Sequence, residues 1–208
     1  MTTDVKLNFV NESNDQNNSE VVFFQKNVGT NFDELSVAWK VIKNCATGWH
    51  HEFTLPMQMQ LSASDSWGNE IINPLDASNG QLYHVTKGPS GDELAYMSPG
   101  TSRTEVQLRN DLLSGSIDAK IYKSGKLLAL KTGVSPSQKA VFQIKPTLWV
   151  GVVSQIEEGE IMNSAIMSDV NTELGLLGVA SADIVMTGGG IGTSASKFQF
   201  HLDNIVYV

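Results

Sequence analysis

The sequence predicts an all-β chain: an antiparallel β-sandwich of jelly-roll or immunoglobulin-like kind, with at most one or two short helices. Three observations carry that expectation. Apolar and polar residues alternate at period two in run after run, the signature of strands with one buried face. Clusters of Gly, Pro, Asn and Ser separate the runs. The composition is globular, with 41% hydrophobic and 17% charged residues. A chain of 208 residues fits one sandwich domain over residues 1–208, because such folds run to roughly 200–250 residues as a unit. Neither an internal repeat nor a linker interrupts it.

Taken in order, Val5, Leu7 and Phe9 alternate with Lys6 and Asn8. Asn11 to Ser19 is an Asn-rich loop, and Val21 to Phe24 is apolar throughout, as expected of a central strand. The next segment is ambiguous. Leu35, Ala38, Trp39 and Ile42 have helical spacing with Asn31 as a cap, while Val37, Trp39 and Val41 alternate as a strand. The β-branched and aromatic side chains favour strand. Met57, Met59, Leu61 and Ala63 alternate with Gln58, Gln60 and Ser62. Thr104 to Leu113 mixes both periods and is a second candidate helix. Ile117 to Leu130 reads as a hairpin turning at Ser124-Gly125, since Gly adopts the positive φ that tight turns need. Ala140 to Ile144 and Leu148 to Val153 read as covered strands, with Trp149 in the core. Phe198, Phe200 and Leu202 alternate with Gln199, His201 and Asp203. About ten to twelve strands are expected at this spacing.

The formal net charge is -8. Excess negative charge repels phosphates, so nucleic acid and anionic lipid are not the expected partners. The acidic bias is strongest between Pro146 and Ser196, where no Lys, Arg or His occurs. One cysteine, Cys45, rules out an intramolecular disulfide and reads as a buried structural thiol. The N-terminus lacks a basic, apolar leader, and no apolar run is long enough to span a membrane as a helix. Cytoplasm is the default address, with leaderless release as the alternative.

Several motifs invite a chemical reading. Gly188 to Gly192 suggests a phosphate loop, yet Thr193 stands where the last glycine belongs and no helix follows; an inter-strand loop fits better. Trp49-His50-His51-Glu52 gathers imidazoles, but neighbours on a strand face opposite ways, and zinc would need His84 or His201 as well. Asn11 to Glu20 and Glu157-Glu158-Gly159-Glu160 are rich in oxygen ligands, which makes Ca2+ a weak candidate; no cofactor is otherwise expected. Glu173 to Met186 is apolar and glycine-rich. It lacks the polar alternation of a pore-forming hairpin and reads as two strands with a glycine bend.

Asp65-Ser66-Trp67-Gly68-Asn69 sets an aromatic ring beside Asp and Asn, which is the chemistry of carbohydrate sites as well as of ordinary turns. A loop-borne ligand site is therefore expected around Trp49, His50, Asp65, Trp67 and Asn69. No nucleophile elbow or Ser-x-x-Lys pair is present. The expected function is non-catalytic contact: self-assembly into a homo-oligomer, or binding of a carbohydrate or protein ligand through loops. The alternative is a membrane-active, toxin-like protein that touches membranes reversibly. A metal-dependent enzyme is the weakest of the three.

Overall fold

The computed structural model describes residues 4–16, 19–29, 36–71, 73–162 and 172–208. Among them the chain forms eighteen strands and one 3-10 turn, Gly192–Ser194. The strands are β1 (Val5–Asn11), β2 (Glu20–Phe24), β3 (Ser36–Val37), β4 (Lys40–Ile42), β5 (His50–Leu55), β6 (Met59–Asp65), β7 (Leu75–Ala77), β8 (Gln81–Gly88) and β9 (Gly91–Pro99). There follow β10 (Val106–Asn110), β11 (Ile117–Lys123), β12 (Lys126–Val134), β13 (Lys139–Phe142), β14 (Thr147–Val153), β15 (Ile161–Met162), β16 (Thr172–Gly175), β17 (Val179–Gly189) and β18 (Ser196–Tyr207). The all-β expectation holds. Part of the surplus over the expected count comes from strands of two or three residues, β3, β4, β7 and β15, too short to show a period.

The chain builds two compact units. One comprises residues 1–25, 37–57 and 146–208; the other comprises 26–36 and 58–145. In the first unit one sheet has the order β18-β17-β1-β5 and the other β16-β14-β2-β4. Alternation becomes burial here: Val5, Leu7 and Phe9 are inside while Lys6 is exposed. The sheets meet through aromatic rings. Phe9 of β1 stands edge-on to Phe23 of β2 at 5.9 Å, and Phe23 lies 5.1 Å from Phe53 of β5. β2 is buried along Val21–Phe24 because β14 and β4 flank it.

The second unit has one sheet ordered β13-β10-β8-β9 and another containing β12-β11-β6-β7. Its clearest hairpin turns at Ser124 (φ 49°) and Gly125 (φ 70°), the two positive φ values of a primed turn. The hairpin runs on to Val134. Ile117, Ala119 and Ile121 are buried, and Asp118 and Lys120 less so, as the alternation requires.

Pairing departs from the antiparallel expectation at two places. β1 runs parallel to β17, and β10 runs parallel to β8. Both partners are distant in sequence, and a parallel pair needs a long crossover that no local pattern announces. The candidate helix Thr104–Leu113 is strand β10, since Val106 and Leu108 are paired on both sides. Ala140 to Ile144 is not central: β13 closes its sheet, and Val141 is only half-buried. The ambiguous segment is extended, with β3 and β4 bracketing buried Ala38 and Trp39; Asn31 and Leu35 lie outside the described residues. Trp149 is half-buried, packing over the cluster of Val22, Phe24, Ala38, Val41, Ile156 and Met162. Glu173 to Met186 forms parts of β16 and β17, with a turn at Gly178 (φ 75°). Cys45 is buried, and burial pushes its thiol pKa up, as befits an unreactive structural cysteine.

Candidate functional site

The outer face of the first unit's β18-β17-β1-β5 sheet is polar because β1 alternates. With Leu7 and Phe9 committed to the core, Lys6 and Asn8 project outward. The registers then assemble cross-strand rows. Thr54, Lys6 and Ser181 form one row. Glu52, Asn8, Asp183 and Asp203 form the next, followed by His50, Val10, Val185 and His201. The first two rows, Asp203 excepted, line a groove of about 510 Å³ whose residues include Lys6, Asn8, Glu52, Thr54, Ser181, Asp183 and Asn204.

Asp183 is the centre of this groove. Asn8 donates from Nδ2 to its Oδ1 at 2.9 Å, and Asn204 donates from Nδ2 to its Oδ2 at 2.7 Å. Asn204 reaches it because β18 breaks step there: its φ is 48°, and the β17–β18 register is irregular on that side of Asp183. Asn tolerates the left-handed conformation better than most residues. A carboxylate is thus fixed by three strands. The amide oxygen of Asn8 is buried with no hydrogen-bond partner among the described residues. A buried group left unpaired costs about 1–3 kcal/mol, so turning the Asn8 donor toward Asp183 is bought at the expense of its acceptor.

Of the expected loop residues, the structure brings Asp65, Trp67 and Asn69 together. Asp65 ends β6 and accepts from the backbone N–H of Trp67 (2.9 Å) and of Asn69 (2.9 Å) and from the Asn69 side-chain amide (2.8 Å). Those hydrogen bonds, the Asn69 side chain foremost, hold the Asp65 carboxyl below the usual aspartate range. Both oxygens of Asp65 serve the turn itself, and Trp67 is left 88% exposed at its tip. Trp49 and His50 belong to the other unit. Trp49 is 63% exposed, with its backbone bonded to Ala46 and Asn11. His50 is not in a loop: it opens β5 opposite Val10, one row from Asn8 and Glu52.

The metal readings meet geometry in the same way. His50 and His201 occupy one row three strands apart, roughly 14 Å at about 4.8 Å per strand. That is too far for one ion. No group of three or more His, Cys, Asp or Glu side chains able to hold a metal occurs among the described residues. In the Asn-rich loop Asn11 donates to the Cys45 carbonyl (2.6 Å) and accepts from Ser13, while Asp15 accepts from the Ser19 N–H (2.6 Å). Residues 17–18 of that loop lie outside the described residues. In the acidic cluster Glu157 pairs with Lys43 (2.6 Å) and Glu158 with Lys40 (3.2 Å). One oxygen each of Glu157, Glu158 and Glu160 thus already has a donor, the last from the Glu157 N–H (3.0 Å).

One titratable cluster escaped the sequence reading. In the second unit the parallel pairing sets Arg109 beside His84. Asp111 accepts a forked pair from Arg109 (2.5 and 2.9 Å) and faces His84 Nδ1 at 3.2 Å. The guanidinium, with a smaller contribution from the imidazole, lowers the Asp111 pKa. Asp111 thus sits between Arg109 and His84. The expected inter-strand loop at Gly188 to Gly192 is shorter than the glycine run: Gly188 and Gly189 end β17, and Gly190 and Ile191 lead through the 3-10 turn Gly192–Ser194 into β18. No helix among the described residues is long and apolar enough to cross a membrane. No family model, curated protein or solved structure matches this chain.

Proposed function

We propose that this chain is a non-catalytic protein acting by contact, and that the groove around Asp183 receives an uncharged polyhydroxylated ligand of the carbohydrate class. The observation that carries this reading is the Asp183 carboxylate held between the amides of Asn8 and Asn204. A sugar hydroxyl both donates and accepts, so its site must mix the two roles at fixed positions. Lys6 donates, Thr54 and Ser181 do both, Glu52 accepts, and each Asp183 oxygen keeps a second lone pair beside the one that takes the Asn8 or Asn204 amide. Groups already locked by hydrogen bonds lose little freedom when a ligand arrives. Two carboxylates against one ammonium disfavour an anionic ligand.

Calorimetric titration against a panel of neutral saccharides and polyols, with sugar phosphates as contrast, tests the proposal. The expected result is saturable binding of a neutral member. Asp183→Ala should weaken it by at least about tenfold, as loss of hydrogen bonds to a charged group does, while circular dichroism stays unchanged. A panel without binders, or affinity indifferent to Asp183→Ala, contradicts the reading.

Trp67 favours a second reading. A ring 88% exposed beside Asp65 and Asn69 offers a stacking surface for the apolar face of a sugar. In that case Trp67→Ala abolishes binding and Asp183→Ala spares it.

A further inference from the structure

We infer that the groove recognises a vicinal diol, two hydroxyls on adjacent ring carbons that both donate to Asp183; this rests on the carbohydrate reading above. Asn8 belongs to β1 and Asn204 to β18, the two strands that flank β17. Their amides reach Asp183 from opposite sides and take different oxygens, Oδ1 at 2.9 Å and Oδ2 at 2.7 Å. No other hydrogen bond reaches the Asp183 side chain among the described residues. An ionised carboxylate has about four acceptor positions, two on each oxygen. Donors arriving from the flanks occupy the lateral ones. One position on each oxygen is left, facing the groove that Asp183 lines. The two amides also hold the carboxylate against rotation, since turning it would break both bonds.

The two free positions form a fork that accepts twice and never donates. Arginine fills such a fork with two parallel N–H groups. In an uncharged ligand the equivalent is a pair of O–H groups side by side. Gauche hydroxyls on adjacent carbons reach both oxygens. Equatorial hydroxyls two carbons apart, and trans-diaxial neighbours, are spread too widely. A single hydroxyl would leave the second oxygen covered by ligand with no donor, which is costly. An anionic oxygen has no proton to give. Farther along the same face of β17, Ser181 lies about 7 Å away, with Lys6 as its partner on β1. Lys6 only donates, so a hydroxyl that meets it accepts. The groove thus asks for opposite roles from different hydroxyls of one ring.

Calorimetric titration of the methyl glycosides of glucose, galactose and mannose, each with its 2-, 3- and 4-deoxy and deoxyfluoro analogues, tests it. With the anomeric oxygen methylated, the ring offers only the 2,3 and 3,4 pairs, and position 3 belongs to both. The 3-deoxy analogue of a glycoside that binds should therefore bind at least about tenfold more weakly, and so should either its 2-deoxy or its 4-deoxy analogue. Fluorine cannot donate a hydrogen bond, so the deoxyfluoro analogues should fail at the same two positions. Affinity restored by fluorine means that those hydroxyls accept, and it overturns the inference. Binding that Asp183→Ala removes but that survives 3-deoxygenation overturns the diol and leaves the carbohydrate reading standing. No binding by any parent glycoside, or binding indifferent to Asp183→Ala, overturns both.

Discussion

Asp183 and Asp65 are both held by asparagine amides, in opposite ways. Every bond to the Asp65 side chain comes from within four residues of it. Asp183 is held by Asn8, 175 residues away, and by Asn204, 21 residues away. The first arrangement is a turn that any short peptide of that sequence could sample, and its polar atoms close on one another. The second exists only when β1, β17 and β18 are all in register, and it stands in a groove with Lys6, Glu52 and Ser181 around it. The same two residue types therefore make a local structural fixture in one unit and a tertiary site in the other.

The largest effect that sharpens this contrast lies in β17. Gly188 has φ of +89°, and a Cβ there would sit 2.2 Å from the Lys197 carbonyl oxygen. Gly188→Ala adds a steric clash to left-handed strain and is expected to destabilise by about 3 kcal/mol in urea titration. It should also disturb the β17–β18 register that brings Asn204 to Asp183. Gly68, in the Asp65 turn, has nearly the same φ of +87° and nothing within 4 Å of an added Cβ. Gly68→Ala meets only the strain, so it should cost about 1 kcal/mol and leave the groove intact. Equal losses in the two variants would mean that the β17–β18 approach is looser than its geometry.

The smallest effect is a matter of pH. The Asp65 pKa is lowered in the folded state, so its contribution is fully present above the unfolded aspartate value near 3.9. That contribution is lost as pH falls through the depressed folded value. An NMR titration of the Asp65 carboxyl should therefore give a midpoint below that of an unfolded aspartate. In Asn69→Ala the midpoint should move back up, since the Asn69 side chain is the leading cause of the shift. An unmoved midpoint would separate the turn from its amide.

The same contrast explains what the sequence could tell. The wet face of β1 was legible, because Val5, Leu7 and Phe9 alternate with Lys6 and Asn8 and the structure buries the first set. The Ser124-Gly125 hairpin was legible because its turn chemistry is local. So was the Asp65–Asn69 turn, whose bonds all lie within four residues. The groove was not legible. Its partners meet through a parallel pairing of β1 with β17, and no window of sequence spans both. Asn204 was hidden too, since an Asn inside a run of apparent strand gives no sign of a positive φ. The segment around Trp39 stayed ambiguous because Val37, Ala38 and Trp39 are all buried, which erases both periods.

The central claim is that Asp183, fixed by Asn8 and Asn204, forms the contact surface. The most direct check is an NMR titration that follows the side-chain NH2 resonances of asparagine while a binder from the neutral saccharide panel is added. The account predicts saturable shifts at Asn8 and Asn204 with the Asn69 amide unmoved. Shifts confined to Asn69 and the Trp67 indole, with Asn8 and Asn204 silent, would contradict it.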